Sequence, residues 1–466
     1  MFKTAATLNW IMLKHRNLWI MAIAFILLLI SPSFKAQGFI ENTEYFNGFL
    51  ASEARSIPLN FNILTLIGLI GIVTFLGGKL AQRFGLPQII GFIVTGVFFG
   101  PSFFNIVPLE LTGELVFISE IALGLIGFDI GSHLRVDELR KLGRSIVSIL
   151  VFEAFGTFLL VTGGVFMISR DWNIALLLGA ISSATAPAAT VDVLDEYGAK
   201  GPLTTSLLAV IGLDDAVSLV LFFLTAGIVE SNLAGTNSIS IGSILILPLI
   251  EIGGSIVLGA VCGLVLDHVL RGMKGRRDAL ALSVGFVLLT VGLAISLKLS
   301  LILSTIVLGI VLVNRFPEHG QKISYTVDQA GSVIYVLFFA LIGARLQINL
   351  LPSMGLLGVA YLVLRSSGKF LGAKAGGIIG GAIPTVRDNL GLGLLSQAGV
   401  AVGLAIDSAS RFPKYGPAGQ ELGGLILNVI TATTFIVQII GPICVKLAIS
   451  RAGEIGLSDQ IEDDFD

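Results

Sequence analysis

Two adjacent carboxylates stand in the middle of a long apolar stretch, Ala209-Val-Ile-Gly-Leu-Asp-Asp-Ala-Val-Ser-Leu-Val-Leu-Phe-Phe223. Each acid at mid-bilayer depth costs roughly 2.5–3.5 kcal/mol on insertion scales, so intramembrane carboxylates mark function by default. Neighbouring residues of a helix point about 100° apart, which lets Asp214 and Asp215 do different jobs, one facing an ion path and the other a partner. A carboxylate partly stripped of water favours its protonated form, and a like charge beside it adds to that preference. Such a group alternates between holding a proton and holding a cation, and that competition suffices for exchange.

The preceding apolar segment reads Ile181-Ser-Ser-Ala-Thr-Ala-Pro-Ala-Ala-Thr190. Pro187 lacks a backbone donor and breaks a helix. Carbonyls freed at membrane depth are tolerated where they are buried or line a cavity. There they can coordinate a hard cation, helped by the hydroxyls of Ser183, Thr185 or Thr190. A second break is expected in Gly391-Leu-Gly-Leu-Leu-Ser-Gln-Ala-Gly-Val-Ala-Val-Gly403, which contains Gln397. A basic segment, Tyr361-Leu-Val-Leu-Arg-Ser-Ser-Gly-Lys-Phe-Leu-Gly-Ala-Lys374, puts Arg365 and Lys369 on one helix face. A buried base needs a partner, Asp214 or Asp215, and either Arg365 or Lys369 can be that base. Lys369 can also lose its proton, which Arg365 cannot. Lys374 is expected to snorkel to an interface. Glu153 is a further lone acid within an apolar segment, placed either against a core base or near a water-filled edge. Glu120, Glu251 and Arg345 lie close enough to segment ends to be interfacial.

The elements that carry these groups are membrane spans. The chain has 466 residues, 54% hydrophobic and 13% charged, with 56 glycines and a net charge of −2. Its mean hydropathy is +0.92. A soluble domain carries about twice that charge fraction, and the charge balance argues against nucleic-acid binding. Fourteen candidate spans of the roughly 20-residue class fall at 16–34, 62–83, 88–100, 113–131, 144–168, 174–190, 203–229, 240–267, 279–297, 299–314, 329–348, 355–381, 388–408 and 422–449. Placing the N-terminus in the cytoplasm collects Arg135, Arg140, Lys141, Arg144, Arg271, Lys274, Arg276 and Arg277 inside. Lys35, Arg55, Arg170, Lys298, Arg411 and Lys414 are left outside, an inside bias of about three to one. Both termini are then cytoplasmic. The first span follows Lys14, His15 and Arg16 and resembles a signal peptide. With a poor small-x-small site after it, it reads as a retained helix, and cleavage would leave thirteen spans.

Leu86-Pro-Gln-Ile-Ile-Gly-Phe-Ile-Val-Thr-Gly96 aligns with Leu299-Ser-Leu-Ile-Leu-Ser-Thr-Ile-Val-Leu-Gly309, and Leu125-Ile-Gly127 with Leu341-Ile-Gly343. The expected organisation is an N-terminal helix and outer loop over 1–61 and a transmembrane domain over 62–449. That domain divides into repeat 1 at 62–229, a linker helix at 240–267 and repeat 2 at 279–449. A short, solvated acidic tail at 450–466 follows. Six spans per half plus one linker inverts the second half. Inverted repeats of this kind build secondary transporters with a midplane site at discontinuous helices. Cys262 and Cys444 lie in apolar segments as small hydrophobes, and the histidines have no ligand spacing.

With Thr185-Ala-Pro-Ala-Ala-Thr190, Gly198-Ala-Lys-Gly-Pro-Leu-Thr204, Gly212-Leu-Asp-Asp-Ala216 and the basic helix Arg365–Lys369, residues 62–449 resemble the monovalent cation:proton antiporter superfamily, the sodium/proton exchanger fold. The resemblance implies an all-α polytopic protein of 13–14 transmembrane helices with crossed discontinuous helices. It implies a homodimer in which a six-helix core moves, elevator fashion, against a dimerisation domain in the cell (inner) membrane. It assigns the ion and proton carboxylate to Asp215 and pairs Asp214 with the buried base. The adjacent Asp-Asp implies electrogenic exchange of Na+ or Li+ for protons, with no cofactor. Competing readings are K+/H+ exchange, a channel-like K+ pathway without a TVGYG-type filter, and a same-fold organic-anion symporter. An intramembrane enzyme lacks a visible nucleophile–base pair.

Overall fold

A computed structural model describes residues 63–235, 241–271, 276–315, 317–346, 348 and 352–457. The expected first span, the outer loop and the acidic end from 458 lie outside the described residues. Sixteen α-helices and no strands occur among the described residues. They are α1 (Ile63–Arg83), α2 (Gln88–Phe99), α3 (Leu109–Glu114), α4 (Val116–His133), α5 (Val136–Ser169), α6 (Trp172–Ser182), α7 (Pro187–Glu196), α8 (Pro202–Ala234), α9 (Ile241–Leu270), α10 (Arg276–Ser296), α11 (Leu301–Arg315), α12 (Pro317–Arg345), α13 (Gly355–Gly380), α14 (Pro384–Gly393), α15 (Gly399–Arg411) and α16 (Pro417–Ala452). Among the described residues, eight stretches are long and apolar enough to cross a membrane, counting α6 and α7 together, and α2, α11 and Gly331–Arg345 are shorter apolar helices. The outward surface is apolar, with Leu64, Ile72, Leu159, Met167, Leu249, Val257, Val363 and Ile378 exposed, whereas Glu153, Asp214, Arg365 and Lys369 are buried. This inversion of the soluble pattern is that of an integral membrane protein.

The helices start where the sequence offers a missing donor or a cap. Proline opens α7, α8, α14 and α16 at the first turn, where its lack of an N–H costs nothing. Asp171 caps α6, its carboxylate accepting from Asn173 N at 2.7 Å and Ile174 N at 3.4 Å. Two bundles result. In one, α5 packs along α13, and α6–α8 pack with α14–α16; in the other, α1, α2 and α4 pack with α9–α12. In the second bundle, a Cβ on Gly96 of α2 would lie 2.1 Å from the Ala340 carbonyl of α12. One on Gly309 of α11 would lie 2.4 Å from the Phe128 carbonyl of α4. Glycine at these crossings brings backbone against backbone, the close approach that drives helix association without a hydrophobic effect.

One expectation is corrected at the C-terminal end. The helix expected over 422–449 runs on to Ala452, and Glu454, assigned to a solvated tail, is buried. Its carboxylate accepts from Leu203 N at 2.7 Å and from Thr204 N and Oγ1 at 2.8 and 2.7 Å, satisfying the free first-turn donors of α8. Gly201 makes room for it, since a Cβ there would lie 2.4 Å from the Glu454 carboxyl carbon. Glu454→Ala should therefore lower the melting temperature by the loss of a buried charge-assisted cap, about 1.5–3 kcal/mol, read as a shift in the unfolding of detergent-solubilised protein. An unchanged transition would show that α8 does not depend on this cap.

Candidate functional site

The expected break falls between α6 and α7 at Ser183–Ala186, and the second between α14 and α15 at Leu394–Ala398. The two breaks cross: Ala186 N donates to Ser396 O at 3.0 Å, and Thr190 Oγ1 to Gly393 O at 3.2 Å. Four half-helices thus end or begin at one place. The last carbonyls of α6 and α14 present partial negative charge there, and the first amides of α7 and α15 partial positive charge.

Arg365 answers the negative ends. Its Nε donates to Ser182 O at 3.1 Å, Nη1 to Leu395 O at 2.6 Å, and Nη2 to Ala184 O at 2.8 Å and Ser396 O at 3.2 Å. The rigid guanidinium fork ties the two broken helices together, a task for which an ammonium lacks the geometry. Tyr361, Arg365 and Lys369 follow one another at four-residue spacing on α13. One turn before Arg365, the Tyr361 hydroxyl pairs with Gln397, whose Nε2 donates to Ile181 O at 3.1 Å. The sequence carried that signal, since Tyr361 shares the face of the two bases. Arg365→Ala should strip donors from four buried carbonyls and destabilise the fold by at least ~3 kcal/mol, with Arg365→Lys recovering only part. Equal melting of all three proteins would contradict this tie.

Lys369 takes the other role. Its Nζ lies 2.9 Å from Asp214 Oδ2 and 2.7 Å from Glu153 Oε2, and it donates to Ser183 O. All three charged side chains are fully buried. Of the two candidate bases, Lys369 pairs with acids and Arg365 with carbonyls. Glu153 lies in the core and not at a watery edge. The expectation that freed carbonyls would face a cation is also revised, because those of Ser182, Ser183, Ala184, Leu395 and Ser396 receive the two bases. Among the three expected hydroxyl ligands, Ser183 donates to Ala180 O and Thr190 to Gly393 O, while Thr185 Oγ1 has no hydrogen-bond partner among the described residues.

Asp215 points elsewhere. It is 7% exposed and lines a narrow cleft of about 10 Å³ with Gly212 and Leu219 of α8, Ile252 of α9, and Ile302 and Leu303 of α11. Asp214 faces its own bundle and Asp215 faces the boundary with the other, the division that the helical offset allows. A larger cleft of about 250 Å³ opens between the bundles along α7, from Ala188 to Glu196. It is lined by Gln88, Ile126, Asp192, Asp195, Glu196 and Tyr335 among others. Of the weaker candidates, Arg345 donates to Thr112 O at 2.5 Å, and Lys374, half exposed, pairs with Asp388 at 3.4 Å. The sequence reading did not single out Glu196, whose contacts appear only in the fold.

These features define an all-helical integral membrane protein built on two crossed broken helices around a buried charge cluster. The chain belongs to the sodium/hydrogen exchanger family, whose transmembrane model matches residues 70–446. It is 30% identical to the Na+/H+ antiporter NhaP of Pseudomonas aeruginosa over 42% of this chain and 48% of that protein, so this match spans about half of the relative's length. It is 24% identical to the probable Na+/H+ antiporter 2 of Methanocaldococcus jannaschii over 81% of this chain and 95% of that one. Its fold is similar to the solved structure of the sodium proton antiporter MjNhaP1 from Methanocaldococcus jannaschii. The TM-score is 0.63 at 20% identity, covering 84% of this chain and 99% of that one.

Proposed function

We propose that this chain exchanges Na+ or Li+ for protons across the membrane, with cation and proton competing for Asp215. The observation that carries the reading is the split of the acidic pair. Asp214 is held by Lys369 within one bundle, while Asp215 stands beside the seam between bundles. A carboxylate at that seam can be exposed to either side by sliding one bundle past the other, elevator fashion, while the crossed helices stay tied by Arg365. Thr185 Oγ1, Asp214 Oδ1 and Asp215 Oδ1, buried with no hydrogen-bond partner among the described residues, offer further oxygen ligands for a dehydrated monovalent cation. The names of the relatives support Na+ as the cation. The lysine and arginine bias of its loops favours both termini in the cytoplasm, and the resemblance to the exchanger family implies a homodimer in the cell membrane. The adjacent acids favour electrogenic exchange.

Purified protein in proteoliposomes tests this. Gradients of Na+, Li+ or K+ are imposed and internal pH is followed, with and without a potassium/valinomycin clamp. The expected result is a pH change driven by Na+ or Li+ that responds to the clamp. A response to K+ alone would move the assignment to K+/H+ exchange. No response to any of the three, beside an active control antiporter, would reject proton-coupled exchange.

A further inference from the structure

The two bundles are joined at the Glu196 end by polar contacts that converge on one turn. The turn between α1 and α2, Phe84–Pro87, belongs to the bundle of α1, α2, α4 and α9–α12. Glu196, the last residue of α7 in the opposite bundle, accepts from Gln82 Nε2 at 2.8 Å on one side of the turn. On the other side it accepts from Gln88 N at 2.7 Å, the first amide of α2. Lys446 of α16, also in the opposite bundle, donates to Gly85 O within the turn at 2.7 Å and lies 4.8 Å from the Tyr197 ring centroid. A carboxylate on a helix N-terminus and an ammonium on a turn carbonyl are charge-assisted contacts, stronger than neutral ones. They border the broad cleft that Glu196 itself helps to line.

We propose that Glu196 and Lys446 form a two-point latch on the α1–α2 turn that holds the bundles in the arrangement with the cleft open at this end. The inference rests on the exchange reading, in which Asp215 must meet each side in turn. The seam at Asp215 cannot slide without displacing α7 and α16 from that turn, so the latch is broken in the opposite arrangement. Both are positioning residues, acting through the relation of the bundles and not through contact with the cation. A contact present in only one of two states sets their populations. Apparent cation affinity from each face then scales with the fraction of the state open to that face.

The test is thiol labelling of the full-length protein in proteoliposomes, in a background where Cys262 and Cys444 are replaced by alanine. One probe is Ser332→Cys, which lines the broad cleft, and the other is Ser300→Cys, which lines the narrow cleft at Asp215. Adding Lys446→Ala, which removes one charge-assisted hydrogen bond, should raise labelling of the S300C thiol about tenfold and lower that of S332C, and Glu196→Ala, which removes two, should do so at least as strongly. Lys446→Arg, which keeps a donor for Gly85, should restore the unlatched values to wild type. In transport, unlatching should change the apparent cation affinity in opposite directions from the two faces. Labelling rates that stay fixed, or rise together at both positions, would overturn the latch. Labelling needs no cation, so a protein that shifts reciprocally but transports no Na+ or Li+ overturns the exchange reading and leaves the latch standing.

Discussion

Asp215→Asn is expected to reduce cation-driven proton movement to the leak of empty liposomes while leaving a folded, monodisperse protein. Asparagine matches aspartate in shape and can still ligate through its carbonyl oxygen, but it cannot carry the proton or the negative charge for which the cation competes. Among the described residues the Asp215 carboxylate has no ion pair to lose, and one of its oxygens is buried with no hydrogen-bond partner there. Neutralising a buried carboxylate removes a desolvation cost, so the melting temperature should hold or rise. The informative measurement is the pair of readouts together. Lost exchange with retained or increased stability assigns Asp215 to the exchange chemistry. Retained exchange would place the competing site elsewhere, with Asp214 the next candidate. Lost exchange with a collapsed melting transition would mean that Asp215 holds the fold instead.

Lys369→Met should do the reverse and strike stability first. Removing the ammonium leaves Glu153 and Asp214 buried without their cation, and breaking a buried pair by deleting one partner costs about 3–5 kcal/mol. Here one base serves two acids, so the loss falls at the upper end of that range. A double variant tests the cause. Lys369→Met combined with Glu153→Gln removes one of the stranded charges, and it should recover part of the lost stability, a coupling of contacting residues that separate sites do not show. Additive losses would imply that Glu153 and Lys369 do not share a charge balance. Lys369→Arg retains the charge but brings a planar fork where three acceptors surround one point. It should fold better than Lys369→Met and worse than wild type. The contrast with Arg365 is part of the prediction. At 365 lysine cannot replace the fork, and at 369 the fork cannot fully replace lysine.

What could be read along the chain was whatever depends on local order. Fourfold spacing puts Arg365 and Lys369 on one face of a helix because a helix turns every 3.6 residues. Adjacency alone separates the directions of Asp214 and Asp215. Pro187 had to end one half-helix and begin another, and the glycine-rich span around Gln397 had to be weak in the same way. An acid or base inside an apolar run declares a site because the bilayer penalises it wherever the run happens to pack. The partnerships were not local. That Lys369 meets both Glu153 and Asp214, while Arg365, one turn away, meets only carbonyls, depends on where α13 crosses α5 and how far the two breaks interleave. Neither quantity is written in residue spacing. Glu454 and Glu196 were hidden for the same reason: each looks like an ordinary acid at a helix end, and each gains its role from an amide brought to it by another part of the chain. The sequence by itself therefore determined which groups are buried in the membrane and which face of which helix they share. Only the tertiary structure decided which charge answers which, because a buried charge takes the partner that packing places within 3 Å.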